Sequence, residues 1–310
     1  MNKEIRVAVT SRSFSRHPVL RAELLAKYKQ VKFNESGIQL EGDELIEFLR
    51  NQDKAITALE SINKYVLSQL PNLMVISKYG VGVDMIDLEA MRYYQKRLGW
   101  QGGVNRRSVA ELTIAFSIMM LRQAHAANIG LLAGGWRQHV GGLLTGRTVG
   151  VIGCGHVGKD LVRLLKAFEC RILVNDIIQY TDFYKEFEVE ALPLKSLLKQ
   201  SDIVTLHVPL DDSTRGMITR ELINTMKSTA VLINIARGGL VDESALKEAL
   251  QDGRLFAAAF DVFFQEPPID YELLKLPNFL ATPHIGGSAE EAILAMGRAA
   301  IEGLEINALP

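Results

Sequence analysis

The chain has little of what marks an extracellular, nucleic-acid-binding or membrane-spanning protein. Only two cysteines occur in 310 residues, Cys154 and Cys170. One lies in a glycine turn and the other opens an apolar run, so no disulfide framework is expected and both read as small apolar filler. Formal net charge is −1. With no block of like charge, the electrostatic footprint of a nucleic-acid binder is missing. The N-terminus, Met1-Asn2-Lys3-Glu4-Ile5-Arg6, carries no signal-peptide core. The most apolar helix, Leu112 to Leu121, has ten uncharged residues, where a membrane span needs about 20. Fixed-period repeats and low-complexity tracts are absent, and no metal site is expected. These features describe a cytoplasmic globular protein, long enough for two domains of about 100–200 residues each.

The most informative segment present is Thr148-Val149-Gly150-Val151-Ile152-Gly153-Cys154-Gly155-His156-Val157-Gly158. An apolar strand runs into Gly-x-Gly-x-x-Gly, and a helical pattern follows. This is the fingerprint of a dinucleotide site. Gly153 permits the tight turn, Gly155 lets the backbone approach a pyrophosphate, and Gly158 lets the helix pack close to the strand. The phosphates would rest on the free N–H groups at the helix start, where the helix dipole is positive. His156 and Val157 fall at that start. The next strand, Cys170 to Asn175, ends at Asp176, about 20 residues past the glycines, where a carboxylate accepts from ribose hydroxyls. Ile177 and Ile178 follow, with no arginine for a 2′-phosphate, so NAD is expected rather than NADP.

Strand and helix patterns alternate on both sides of this motif. Strands are expected at Ile5 to Thr10, Lys54 to Ala58 and Leu73 to Ser77, with helices at Val19 to Lys27 and Asp43 to Asn51. Such alternation implies a parallel sheet covered on both faces. A second series begins with a long apolar helix, Ser108 to Ala126, in which Ser108 and Glu111 form a capping box. After a loop around Gly134 to Gly142 and the fingerprint come strands at Asp202 to His207, Ala230 to Ile235, Ala257 to Phe263 and Phe279 to Thr282. The final helix, Ser288 to Ile306, has no sheet left to build and is expected to return to the first domain. The expected fold is α/β: two doubly wound parallel-sheet, Rossmann- or flavodoxin-like domains separated by a cleft. Residues 1–99 and 287–310 would form the substrate domain, and 100–286 the NAD-binding domain.

Three polar residues fall just beyond successive strands of the second series: Arg237 in Asn234-Ile235-Ala236-Arg237-Gly238-Gly239, Glu266 in Asp261-Val262-Phe263-Phe264-Gln265-Glu266-Pro267-Pro268, and His284 in Thr282-Pro283-His284-Ile285-Gly286-Gly287. Ligands of open α/β sheets bind beyond the carboxyl ends of strands. The residue types suit hydride transfer to a 2-keto acid. An arginine fork holds a carboxylate and polarises the neighbouring carbonyl. A histidine gives the carbonyl oxygen a proton, and a carboxylate on its other ring nitrogen fixes the tautomer. Each residue taken singly also has a bland reading, as a surface arginine, a turn glutamate or a capping histidine.

With these segments in order, and with Lys78-Tyr79-Gly80-Val81-Gly82-Val83-Asp84, Asn105 to Leu112 and Leu206-His207-Val208-Pro209-Leu210, the chain resembles the D-isomer-specific 2-hydroxyacid dehydrogenases, the family that includes 3-phosphoglycerate dehydrogenase. The resemblance covers nearly the whole chain. It implies Arg237 as substrate-carboxylate binder, Glu266 as partner of the histidine, and His284 as acid/base. It implies that Asp261 orients the nicotinamide carboxamide, that His207, Pro209 and Ala236 lie along the cofactor, and that Lys78 and the backbone around Val81 and Gly82 meet the substrate. It also implies a homodimer to which the Ser108 helix region contributes.

The chain departs from that family in places. Met85 stands where asparagine is usual, the stretch Trp100-Gln101-Gly102-Gly103-Val104 is short, and His156 replaces a common arginine or asparagine. The loop Ala58-Leu59-Glu60-Ser61 lacks the arginine that phosphoglycerate enzymes often carry, with Lys78, Arg106 and Arg107 as the cations available to compensate. The expected activity is therefore NAD-dependent interconversion of a D-2-hydroxy acid and its 2-keto acid. The alternatives are 3-phosphoglycerate dehydrogenase proper and a non-catalytic protein that senses NAD(H) on the same fold.

Overall fold

The computed structural model describes residues 5–310; Met1–Glu4, part of the segment inspected for a leader, lie outside the described residues. Two compact units are formed, one by the chain up to Asn105 together with Ala289–Pro310, the other by Arg106–Ser288.

The first unit is built on five strands: β1 (Arg6–Val9), β2 (Gln30–Phe33), β3 (Lys54–Thr57), β4 (Val75–Lys78) and β5 (Arg97–Gly99). They lie in the order β2-β1-β3-β4-β5, and every pairing is parallel. The central strands are nearly continuous buried runs, as expected where both sheet faces are covered. Helix Gly42–Leu49 covers one face with Leu45, Ile46 and Leu49. Helix Pro18–Lys27, with Pro18 in its first turn, covers the other with Leu20 and Leu24. The last helix, Glu290–Gly303, belongs to this second layer and buries Ala300 and Ile301. Its approach is close: the Ser77 hydroxyl donates to the Ala300 carbonyl at 2.7 Å, and a side chain on Gly297 would overlap Leu20.

The second unit has seven strands: β6 (Thr148–Ile152), β7 (Arg171–Asn175), β8 (Glu190–Ala191), β9 (Ile203–Leu206), β10 (Val231–Asn234), β11 (Ala257–Phe260) and β12 (Phe279–Ala281). The sheet order is β12-β11-β10-β9-β6-β7-β8, again wholly parallel. From β6 the chain first steps outward to β7 and β8. It then returns to the far side of β6 and steps outward again through β9 to β12. The reversal leaves a switch point between β6 and β9, where ligands of such sheets bind. Among the described residues no helix is long and apolar enough to cross a membrane.

Two local expectations change. The long apolar helix is two helices, Arg106–Leu121 and Ala124–Leu132, broken where Gln123 adopts φ 53°. Apolar residues continue on both sides of the break, so hydrophobic pattern alone does not reveal it. Ser108 does not cap a helix start either. The helix begins at Arg106, and the Ser108 hydroxyl donates to the Gly286 carbonyl at 2.6 Å. The edge strands β2 and β8 carry exposed, polar residues and had no strand signature.

Candidate active site

The glycine turn closes the carboxyl end of β6 beside the switch point. Gly153 has φ +94°, a left-handed value that disfavours other residues, and a β-carbon there would meet the backbone of His207 at the end of β9. Gly158 lies against the Gly153 carbonyl, which a β-carbon would overlap. This contact sets the helix His156–Lys166 directly over the turn. Gly155 differs, because a β-carbon there would meet nothing within 4 Å. Gly155 precedes that helix, and no side chain caps its first N–H groups. Open space above a bare helix start is what a pyrophosphate requires, so these residues fit a dinucleotide. Asp176 follows β7. One of its oxygens accepts from the Cys154 N–H and the other from the Ile178 N–H, the latter at 2.8 Å.

His207 lies across the switch point from the glycines. Its N–H donates to the Ile152 carbonyl at 2.7 Å, and Nε2 is 3.0 Å from the Thr205 hydroxyl. Burial lowers its pKa far below the ordinary histidine value, so the ring is neutral at pH 7. Pro209, two residues on, is exposed.

Arg237, Glu266 and His284 follow the neighbouring strands β10, β11 and β12. Asn234, the last residue of β10, shapes the first loop: its side chain donates to the Arg237 carbonyl at 2.8 Å and accepts from the Ala236 N–H at 3.2 Å. The Arg237 guanidinium donates to the Ala236 carbonyl at 2.8 Å. The Asn234 role was not read from sequence, although an asparagine ending an apolar strand was its signal.

Glu266 and His284 meet directly, with Nδ1 of the imidazole 2.8 Å from Oε2 of the carboxylate. The second oxygen, Oε1, accepts from the Phe263 N–H at 3.1 Å. The hydrogen bond to Glu266 raises the His284 pKa above its ordinary value; burial and the Arg237 charge oppose it. For Glu266, burial works upward, but the His284 hydrogen bond and the charges of His284 and Arg237 bring the pKa below the ordinary carboxylate value. All three groups are thus electrostatically coupled. The pair favours an ionised carboxylate beside a protonated ring, leaving Nε2 as the free donor.

Asp261 holds the loop that carries His284. It is 1% exposed. Oδ1 accepts from the Thr282 hydroxyl and, at 2.7 Å, from the Ile285 N–H; Oδ2 accepts from the Gly286 N–H at 2.7 Å. The His284 N–H also donates to the Asp261 carbonyl at 2.8 Å, and His284 itself has φ 54°. The position of the imidazole therefore rests on a buried carboxylate that sequence reading had assigned only to the nicotinamide side.

Lys78 ends β4 of the first unit and is 4% exposed. Its ammonium donates to the Tyr79 carbonyl at 3.0 Å. Val81 and Gly82 follow in the same loop. Arg107, one of the cations considered as a phosphate ligand, is instead engaged with the buried carboxylate of Asp160 at 2.7 Å. Cys154 and Cys170 are buried free thiols whose pKa burial pushes up to about 11.

A glycine cradle at a switch point, with a hydrogen-bonded histidine–glutamate pair at nearby strand ends, is the arrangement of a dinucleotide-dependent oxidoreductase. The chain belongs to the D-isomer-specific 2-hydroxyacid dehydrogenase family, whose NAD-binding domain matches residues 114–286. It is 39% identical over 267 residues to a D-3-phosphoglycerate dehydrogenase of Methanocaldococcus jannaschii, a match covering 85% of this chain and 51% of that protein. The chain thus spans about half the length of that relative. It is 35% identical over 269 residues to a hydroxypyruvate reductase of Thermotoga maritima, covering 85% and 87% of the two chains. A solved Polaromonas structure described as of the D-isomer-specific 2-hydroxyacid dehydrogenase type superimposes with a TM-score of 0.89 at 28% identity, over 97% of this chain and 95% of that one.

Proposed function

We propose that the protein interconverts a D-2-hydroxy acid and the corresponding 2-keto acid with NAD(H). The observation that carries this reading is the 2.8 Å contact between His284 Nδ1 and Glu266 Oε2, within reach of the Arg237 charge. When bound at the cradle, the nicotinamide cofactor supplies or accepts the hydride. Residues Gly153, Gly155, His156, Val157 and Gly158 would hold its phosphates, and Asp176 its ribose. His207, Pro209, Ala236 and Asp261 would line its further length. In the reducing direction His284 gives its Nε2 proton to the carbonyl oxygen while Glu266 stabilises the imidazolium and fixes the ring. Arg237 grips the substrate carboxylate and polarises the carbonyl. Lys78 and the backbone at Val81 and Gly82 would bind the substrate.

The test is NADH consumption with a panel of 2-keto acids, including phosphohydroxypyruvate. His284→Ala and Arg237→Ala are expected to lose about 10²–10⁴-fold in turnover while NADH binding persists. Wild-type rates in both variants would remove these roles. Saturable NADH binding with no turnover of any acid would favour a sensor. Strong selectivity for phosphohydroxypyruvate would favour 3-phosphoglycerate dehydrogenase.

The reading includes a homodimer. Helix Ala124–Leu132 buries none of its residues within its own unit. The chain after it exposes Leu132, Trp136 and Val140, the last two at 85% and 92%. An apolar surface of this extent is characteristic of an interaction site.

A further inference from the structure

The first unit contains a pocket that none of the roles above uses. It has a volume of about 270 Å³ and opens at the carboxyl ends of β1 and β3. Its cations come from the helix Arg12–Arg16, immediately after β1. Among the described residues neither Arg12 nor Arg16 forms a side-chain ion pair or hydrogen bond. Arg16 is nonetheless placed by packing: its guanidinium crosses Gly37, φ +73°, where any β-carbon would overlap it. The hydroxyls of Ser11 and Ser13 line the same pocket. The only acid in the lining is Glu60, which is buried and turned to the backbone, accepting from the Ala58 N–H at 2.6 Å. Two guanidinium groups against one carboxylate leave the pocket net positive.

The pocket also adjoins the loop assigned to the substrate. Tyr79, between Lys78 and Val81, packs edge-on against Phe14 of the arginine helix, with ring centroids 5.6 Å apart. In the sheet, β3 alone separates β1 from β4, so the strand ends lie about 10 Å apart. Arginine side chains bridge much of that span.

We infer that Arg12 and Arg16 bind a second acidic group, a phosphate or a carboxylate, at the far end of the 2-keto acid whose first carboxylate is held near Val81 and Gly82. Planar guanidinium forks suit either anion. They would supply from β1 the charge that the loop Ala58 to Ser61 lacks. The inference rests on the dehydrogenase reading above and adds its substrate class.

The experiment compares kcat/KM with NADH for glyoxylate and hydroxypyruvate, which have no second acid, with that for phosphohydroxypyruvate and 2-ketoglutarate, which do. The wild-type protein is expected to favour at least one two-acid substrate by tenfold or more, and the better of the two identifies the anion. Arg12→Ala and Arg16→Ala should each lower kcat/KM for that substrate at least tenfold, mainly through KM. Glyoxylate should change less than twofold, and Arg12→Lys should recover part of the loss. Calorimetric titration with 3-phosphoglycerate or 2-hydroxyglutarate should show the same loss of affinity without turnover. Equal effects on all substrates, or no wild-type preference, overturn the pocket assignment while leaving the dehydrogenase reading intact. Failure to reduce any keto acid removes that reading, and the pocket assignment with it.

Discussion

Gly238 lies against the carbonyl of Phe263, so closely that a β-carbon at position 238 would occupy the place of that oxygen. The loop bearing Arg237 and the loop leading to Glu266 are therefore in backbone contact. Gly238→Ala must push them apart. It is expected to cost about 1–3 kcal/mol in stability, as overpacking does, and to lower kcat/KM because Arg237 and Glu266 lose their relative placement. Thermal unfolding and steady-state kinetics of the variant check both effects; an unchanged Tm and rate would show that the contact is slack.

The Glu266 hydrogen bond raises the His284 pKa above its ordinary 6.5. Reduction needs the protonated ring, so kcat/KM for keto-acid reduction should be highest below the raised pKa and fall as pH rises through it, with a midpoint above 6.5. Oxidation needs the neutral ring and should show the opposite limb. Glu266→Gln removes the largest raising influence, while burial continues to lower the pKa, so the midpoint of the reduction profile should move to lower pH. A midpoint unmoved by that substitution would mean that another group carries the proton.

The glycines of the cradle separate by what surrounds them. Gly155→Val places a side chain in open space, so folding should survive while NADH affinity, read by fluorescence titration, falls at least tenfold. Gly158→Ala has no such space, and its β-carbon would overlap the Gly153 carbonyl. That variant should lose stability, measured by denaturant unfolding, by about 1–3 kcal/mol. Reversed outcomes would contradict the assignment of the open side to the cofactor.

The exposed apolar face beyond residue 129 is expected to be covered by a second copy of the chain. Trp136→Glu combined with Leu132→Asp should convert a dimer to a monomer in light scattering. A monomeric wild type, or a double variant that remains dimeric, would discard this surface as the interface.

The parts legible in the sequence are those whose signal is local. The fingerprint strand and its glycines, and the strand ends carrying Arg237, Glu266 and His284, follow from hydrophobic runs interrupted by chemically specific residues. What escaped depends on tertiary contact. Gln123 breaks a helix between two equally apolar stretches. Ser108 has the spacing of a capping residue, yet its hydroxyl reaches a carbonyl far along the chain. Asp261 has an expected place beside the nicotinamide, but only the folded chain brings Thr282, Ile285 and Gly286 onto its two oxygens. Arg12 and Arg16 carry no motif, and only the pairing of β1 with β3 brings their helix beside the loop from Ala58 to Glu60.

The bonds from Ile285 and Gly286 to buried Asp261 tie down two amide protons next to His284. Such amides exchange with solvent deuterium only when the structure that covers them opens. They are built-in clocks for the loop that carries His284. If the loop breathes on its own during turnover, these two amides will exchange far faster than those of central β10. If the loop is as fixed as Asp261 makes it, all will exchange together.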